Sequence, residues 1–181
     1  CPLKQLTNLE SLYLSDNNIS DISVLRNMVY LKELHLENNS LKDISPLENL
    51  TNLQELYLYH NEIKDISALA NLTNLKSLEI NGNNVTDISV LKNLQNLTYL
   101  NITDNPIEDI SVLTELANLE SVYLYDIKLD DKALNVIHDL IDNGVDVSFH
   151  YPDDYDPTYK LIEEAFPENA GFTIEDEEGL A

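Results

Sequence analysis

The chain has 181 residues, 43% of them hydrophobic, which is enough for one compact core and short for two. Thirty-three acidic against ten basic residues give a net charge of -23, repelling phosphate backbones and anionic lipid headgroups alike. No run nears the roughly 20 apolar residues that span a bilayer, and a single cysteine, Cys1, excludes an internal disulfide, so nucleic acid and membrane insertion are not expected and stability must come from packing and hydrogen bonds.

In chain order, the first element is Ser11-Leu12-Tyr13-Leu14-Ser15, whose alternation predicts a short strand with Leu12 and Leu14 inward. The same pair recurs every 22 residues as Leu34 and Leu36, Leu56 and Leu58, Leu78 and Ile80, Leu100 and Ile102, and Val122 and Leu124. Six stacked rungs of a parallel sheet follow from that period. Two further columns are apolar throughout: Leu9, Leu31, Leu53, Leu75, Leu97 and Leu119, then Ile19, Leu41, Ile63, Val85, Ile107 and Leu129. They line one continuous core.

Three residues past each strand pair stand Asn17, Asn39, Asn61, Asn83 and Asn105, until Ile127 breaks the column. A buried turn leaves backbone groups in need of partners, and an amide supplies both donors and an acceptor, so stacked asparagines can bond the backbone of adjacent turns. A second ladder, Asp21, Asp43, Asp65, Asp87, Asp109 and Asp131, precedes short helical turns such as Ile22-Ser23-Val24-Leu25. There a carboxylate can accept backbone N–H groups two or three residues on. Calcium would need several oxygens converging from one loop, and no such loop occurs.

The ends differ from the middle. Pro2-Leu3-Lys4-Gln5-Leu6 aligns with Val24-Leu25-Arg26-Asn27-Met28, so the phase predicts a start in mid-repeat without an N-terminal cap, with Cys1 in the column of Ser23 and Ser45 as an ordinary repeat residue. After Asp130 the unit lengthens by one residue: Asp130 and Asp131 can cap a helix running through Asn143, with Leu134, Ile137 and Ile141 on one face and Gly144 as its stop. Val145-Asp146-Val147-Ser148-Phe149 then predicts a closing strand, with His138 and His150 in structural roles. Repeats over 1–129, a cap over 130–150 and an acidic tail over 151–181, with a helix start at Asp156-Pro157, complete the expected organisation.

The units Leu50 to Leu69 and Leu72 to Leu91 follow LTNLxxLxLxxNxIxDISxL and resemble the 22-residue leucine-rich repeats of bacterial internalins and SDS22-like proteins, over about residues 2 to 150. The resemblance implies an α/β solenoid: a curved, right-handed array with a parallel sheet on the concave face, short 3-10 or irregular convex segments and a C-terminal helix-strand cap. It also implies a protein that binds other proteins through its strands, usually secreted or on a bacterial surface, with a cytoplasmic placement left open. The sequons at Asn18, Asn71 and Asn101 would put glycans near that face in a eukaryotic secretory route, which favours a bacterial or cytosolic origin.

Function must lie in positions the scaffold leaves free, taken as the outward strand residues and those just after. The columns are Ser11, Glu33, Glu55, Ser77, Tyr99, Ser121; Tyr13, His35, Tyr57, Glu79, Asn101, Tyr123; Ser15, Glu37, Tyr59, Asn81, Thr103, Tyr125; and Asp16, Asn38, His60, Gly82, Asp104, Asp126. Six of the ten tyrosines fall there, with seven acidic residues and no lysine or arginine. Tyrosine is enriched at interfaces because it buries a large area with few rotors, although it also suits an exposed strand. The expectation is a binding face for a protein with a basic surface, formed by Tyr13, Glu33, His35, Glu37, Glu55, Tyr57, Tyr59, Glu79, Tyr99, Tyr123 and Tyr125. A carbohydrate ligand is the alternative. No nucleophile, base and orienting group converge, so neither an enzyme nor a cofactor is expected; a zinc site from His35, His60 and Glu37 or Glu55 is a weaker possibility.

Overall fold

The computed structural model describes residues 6–151. Seven strands, β1 (Ser11–Tyr13), β2 (Glu33–His35), β3 (Glu55–Tyr57), β4 (Ser77–Glu79), β5 (Tyr99–Asn101), β6 (Ser121–Tyr123) and β7 (Asp146–Ser148), pair in parallel and in chain order. Register never slips: Leu12, Leu34, Leu56, Leu78, Leu100, Val122 and Val147 stand side by side. Because side chains alternate across a strand, this row from Leu12 to Val122 and its partners Leu36, Leu58, Ile80, Ile102 and Leu124 enter the core while their neighbours face out, and Val147 at the end of the row is half-buried. The opposite side of each rung returns through a 3-10 turn, at Ser23–Asn27, Ser45–Leu47, Ser67–Asn71, Ser89–Asn93 and Ser111–Glu115.

Both ladders do the work expected of them. Asp21, Asp43, Asp65 and Asp87 each accept the backbone N–H two residues on at 2.8 Å, and Asp109 does so at 2.9 Å, clamping the entry to every 3-10 turn. Asn61 is buried; its Oδ1 accepts Leu41 N–H at 2.9 Å, and its Nδ2 donates to Leu36 O at 3.0 Å and Leu58 O at 2.9 Å. Asn39, Asn83 and Asn105 repeat this set one rung apart. Each amide thus completes the turn of the rung before it.

The break at Ile127 has a local remedy. With no asparagine behind it, Ile107 N–H turns to Asn105 O at 2.8 Å, and Pro106 fills the place where Ser40, Glu62 and Asn84 donate to the previous rung. A proline there has no N–H to leave unpaired. A further ladder escaped the sequence reading: Asn52, Asn74, Asn96 and Asn118, at the exposed entry to each strand, donate to Val29, Thr51, Thr73 and Gln95 carbonyls at 2.7–2.9 Å.

The cap corrects three expectations. Helix α1 (Asp131–Asp142) is capped by Asp130, which accepts Ala133 N–H at 2.8 Å, so Asp131 is its first residue rather than a ladder member. Its buried face is Ala133, Leu134, Val136, Ile137 and Leu140; Ile141 is 45% exposed. Val122 pairs with Val147, an offset of 25, so the last unit is three residues longer than 22 and not one. A three-turn helix has replaced a 3-10 turn, and the extra residues let the chain return, stopped by Gly144 at φ 86°. The expected phase of 1–5 and the expected acidic tail and helix start beyond 151 lie outside the described residues.

Candidate binding face

On the concave side, the second column forms a continuous line because its members are direct cross-strand partners: Tyr13 with His35, His35 with Tyr57, Tyr57 with Glu79 and Glu79 with Asn101. Strands about 4.8 Å apart bring flat rings into contact. His35 is stacked between Tyr13, at 4.4 Å and 22°, and Tyr57, at 4.2 Å and 16°. Its Nε2 lies 3.0 Å from Glu33 Oε1 and its Nδ1 3.4 Å from Glu37 Oε1. Tyr13 donates to Glu33 at 2.7 Å and Tyr57 to Glu55 at 3.0 Å. Three expected aromatic residues and three expected carboxylates are therefore one cluster along β1 to β3, two hydrogen-bonded sets joined by the stacking of His35 on Tyr57.

The electrostatics follow from the crowding of acids. The Tyr13 bond holds the Glu33 carboxyl below its ordinary range, with His35 adding to the effect. Burial, then the bond to Glu55, pushes the Tyr57 hydroxyl up to about 12. Burial also raises Tyr59 and Tyr99, helped by nearby carboxylates including Glu79. Glu79 itself is raised, first by burial and then by the charge of Glu37. Tyr57, Tyr59 and Tyr99 therefore remain neutral donors at neutral pH.

Two expected residues sit differently from the rest. Glu37 is buried at 8% exposure: its Oε1 accepts Ser15 Oγ at 2.8 Å, and its Oε2 has no hydrogen-bond partner. Tyr125 stands apart from the acidic cluster, its ring 4.6 Å from that of His150, a contact that the reading of His150 as a cap residue missed. Tyr99 and Tyr123 meet at 5.5 Å, so β5 and β6 are aromatic and uncharged at their outward strand positions, while β2 to β4 are acidic and β7 adds the exposed Asp146 beside Ser121. His60 meets Tyr59 edge-on at 5.5 Å and does not join His35; among the described residues no group of three potential metal ligands converges.

The fourth column is not free. Asp16, Asn38, His60, Gly82, Asp104 and Asp126 all have positive φ, between 52° and 63°. Asp, Asn and His are the non-glycine residues that tolerate this left-handed conformation best. Three of the seven carboxylates counted on the face are thus choices of the backbone, which leaves Glu33, Glu37, Glu55 and Glu79 as the acidic side chains of those columns not dictated by it. At Gly82 an added Cβ would lie 2.4 Å from His60 Nδ1. Asn38→Val should therefore cost about 1–2 kcal/mol through backbone strain, while Asn38→Gly should change stability little; urea unfolding of both variants checks this, and a harmless valine would show that the turn relaxes.

Four cations outside these columns pair across rungs: Lys32 with Glu10 at 2.8 Å, Lys42 with Glu62 at 3.2 Å, Arg26 with Glu48 at 3.3 Å and Lys132 with Asp109 at 2.9 Å. Among the described residues no helix is long and apolar enough to cross a membrane.

A family model described as Leucine Rich repeats (2 copies) matches residues 7–49, 31–71, 51–93 and 73–116. Among solved structures, an internalin C2 from Listeria monocytogenes is 35% identical, with a TM-score of 0.64, covering 82% of this chain and 74% of its own. An internalin (inlF) from the same organism is 28% identical, with a TM-score of 0.63 over 81% of this chain; this chain spans 48% of that one. A leucine-rich-repeat protein of Leptospira interrogans shares the fold at 24% identity, with a TM-score of 0.75 over 81% of this chain and 38% of its own. No curated protein sequence matches. Scaffolds of this kind are in general protein-interaction modules rather than enzymes. The matched repeats, the seven-strand parallel sheet and the internalin likeness together place the chain in the leucine-rich-repeat family, as an internalin-like member.

Proposed function

We propose that the concave strand face binds a protein partner whose contact surface is basic. The observation that carries this is the stacked line Tyr13, His35, Tyr57 with Glu33, Glu37 and Glu55 bonded into it, on a face without lysine or arginine. Rings already held by stacking lose little freedom on binding, so more of their contact energy remains as affinity. The four glutamates steer a cationic partner inward and disfavour an acidic one or a phosphate backbone. Tyr59, Tyr99, Tyr123 and Tyr125 extend the contact area toward the cap. A carbohydrate is the weaker reading, because sugars stack on open ring faces and both faces of His35 are covered.

Hot-spot tyrosines mainly slow dissociation, while peripheral charges mainly speed association. With a partner isolated by pull-down, Tyr57→Ala with Tyr59→Ala should raise the dissociation rate by about 30-fold or more, the factor for a loss of about 2 kcal/mol. Glu33→Lys with Glu55→Lys should slow association about tenfold at low salt. Surface-binding kinetics over a salt series separates the two. A partner acidic at its contact surface, or rates unmoved by both variants, would overturn the proposal.

A further inference from the structure

Glu79 lies at the centre of the face. Its strand, β4, is the fourth of seven, and its column is the middle one; Tyr57 and Asn101 flank it across the sheet, Ser77 and Asn81 along the strand. Tyr59 and Tyr99 stand on the two diagonals, close enough for the Glu79 charge to act on both hydroxyls. The other three glutamates have partners within the chain: Glu33 takes Tyr13 and His35, Glu37 takes Ser15 and His35, and Glu55 takes Tyr57. Glu79 alone of the four has neither a hydrogen-bond nor an ion-pair partner among the described residues.

A second observation points the same way. Glu37 Oε2, on a side chain nine-tenths buried, Asn81 Oδ1 and Thr103 Oγ1 are covered atoms with no hydrogen-bond partner, and all three stand in the column next to Glu79, on the rungs around it. Unpaired oxygens in one strip, beside a half-buried carboxylate, make a negative floor that no lysine or arginine among the described residues pairs with. The walls are tyrosine rings. We propose that Glu79 is the seat of one arginine side chain of the partner, its guanidinium bonded to the carboxylate and stacked against the tyrosines. Arginine fits better than lysine because its planar cation stacks on aromatic faces and sheds water at less cost in a half-buried position.

This rests on the concave face being the recognition surface, yet it can fail separately. The probe is the acetylated, amidated tripeptide Gly-Arg-Gly, titrated into the full chain while the tyrosine ring and glutamate side-chain signals are followed by NMR, beside its lysine and citrulline counterparts. The arginine peptide should give saturable shifts centred on Glu79, Tyr57, Tyr59 and Tyr99. Glu79→Gln, which keeps size and shape, should weaken it at least about tenfold, the effect of removing a charge-assisted bond. Glu108→Gln removes the same charge from an exposed site outside the strand columns and should leave the titration unchanged. Binding undiminished in Glu79→Gln, or matched by the lysine or citrulline peptide, overturns the seat. If that happens while Tyr57→Ala with Tyr59→Ala still releases the partner, the concave-face proposal stands without it.

Discussion

Asn61→Ala should lower the free energy of unfolding by about 2–4 kcal/mol, the largest single-residue effect expected outside the leucine core. The loss divides unevenly among the bonds. Leu36 O and Leu58 O each accept a second amide, from Asn39 and Asn83, and so keep a partner when Asn61 is removed. Leu41 N–H has only Asn61 Oδ1, and an orphaned buried donor costs more than a lost bond. Asn52→Ala is the control, since its single bond to Val29 O is exposed and water can replace it. Chemical unfolding of both variants should separate them by 1 kcal/mol or more, on the order of the orphan penalty. Equal losses would mean that Leu41 N–H finds another acceptor.

Acid should act on five turns at once. At Asp21, Asp43, Asp65 and Asp87 the serine N–H bond holds the carboxyl below the usual range, and at Asp109 the bonds to Ser111 and Lys132 hold it lower still. With the folded value depressed, the folded state binds fewer protons than the unfolded chain. The stabilisation is therefore complete above the ordinary aspartate value and is lost as pH falls from about 4 through the depressed range. Glu79 has the opposite sign: its raised value makes burial of the charge a cost at neutral pH that acid relieves, but it is one residue against five. Asparagine at the same place can accept the same N–H without titrating. The variant Asp43→Asn, Asp65→Asn, Asp87→Asn should consequently lose less stability than the parent between about pH 5 and pH 2.5. Parallel pH profiles for the two proteins, measured by urea midpoint, would remove the turns from the explanation.

The array was legible because its signals are redundant. A residue such as Leu56 declares its place through position, alternation and five equivalents, and Asn61 through a chemistry that only a buried turn requires. The cap was less so, since a helix of three turns and a 3-10 turn with a loop can each join the same strands, and only packing chose Leu140 over Ile141 and placed Val147 beside Val122. For the face, the columns told which residues point outward and nothing about which neighbour each would turn toward. That Glu37 folds down onto Ser15 while Glu79 is left alone depends on side-chain contacts a period cannot express. The backbone sign at Asp16, Asp104 and Asp126 was hidden for another reason: acidity and tolerance of positive φ select the same residue.

In the regular array the bonds that knit the rungs together span 20, 21, 22, 23 or 25 residues, and every one of them runs between immediate neighbours. A stretch of 22 residues duplicated or excised anywhere in the regular middle of the array hands each amide, carboxylate and strand an equivalent partner, and orphans nothing. Length is therefore a nearly free variable of this architecture. The outward strand face can be widened or narrowed by whole rows at constant internal chemistry, whereas an insertion of any other size must be absorbed in a loop or cap, as the three extra residues before β7 are.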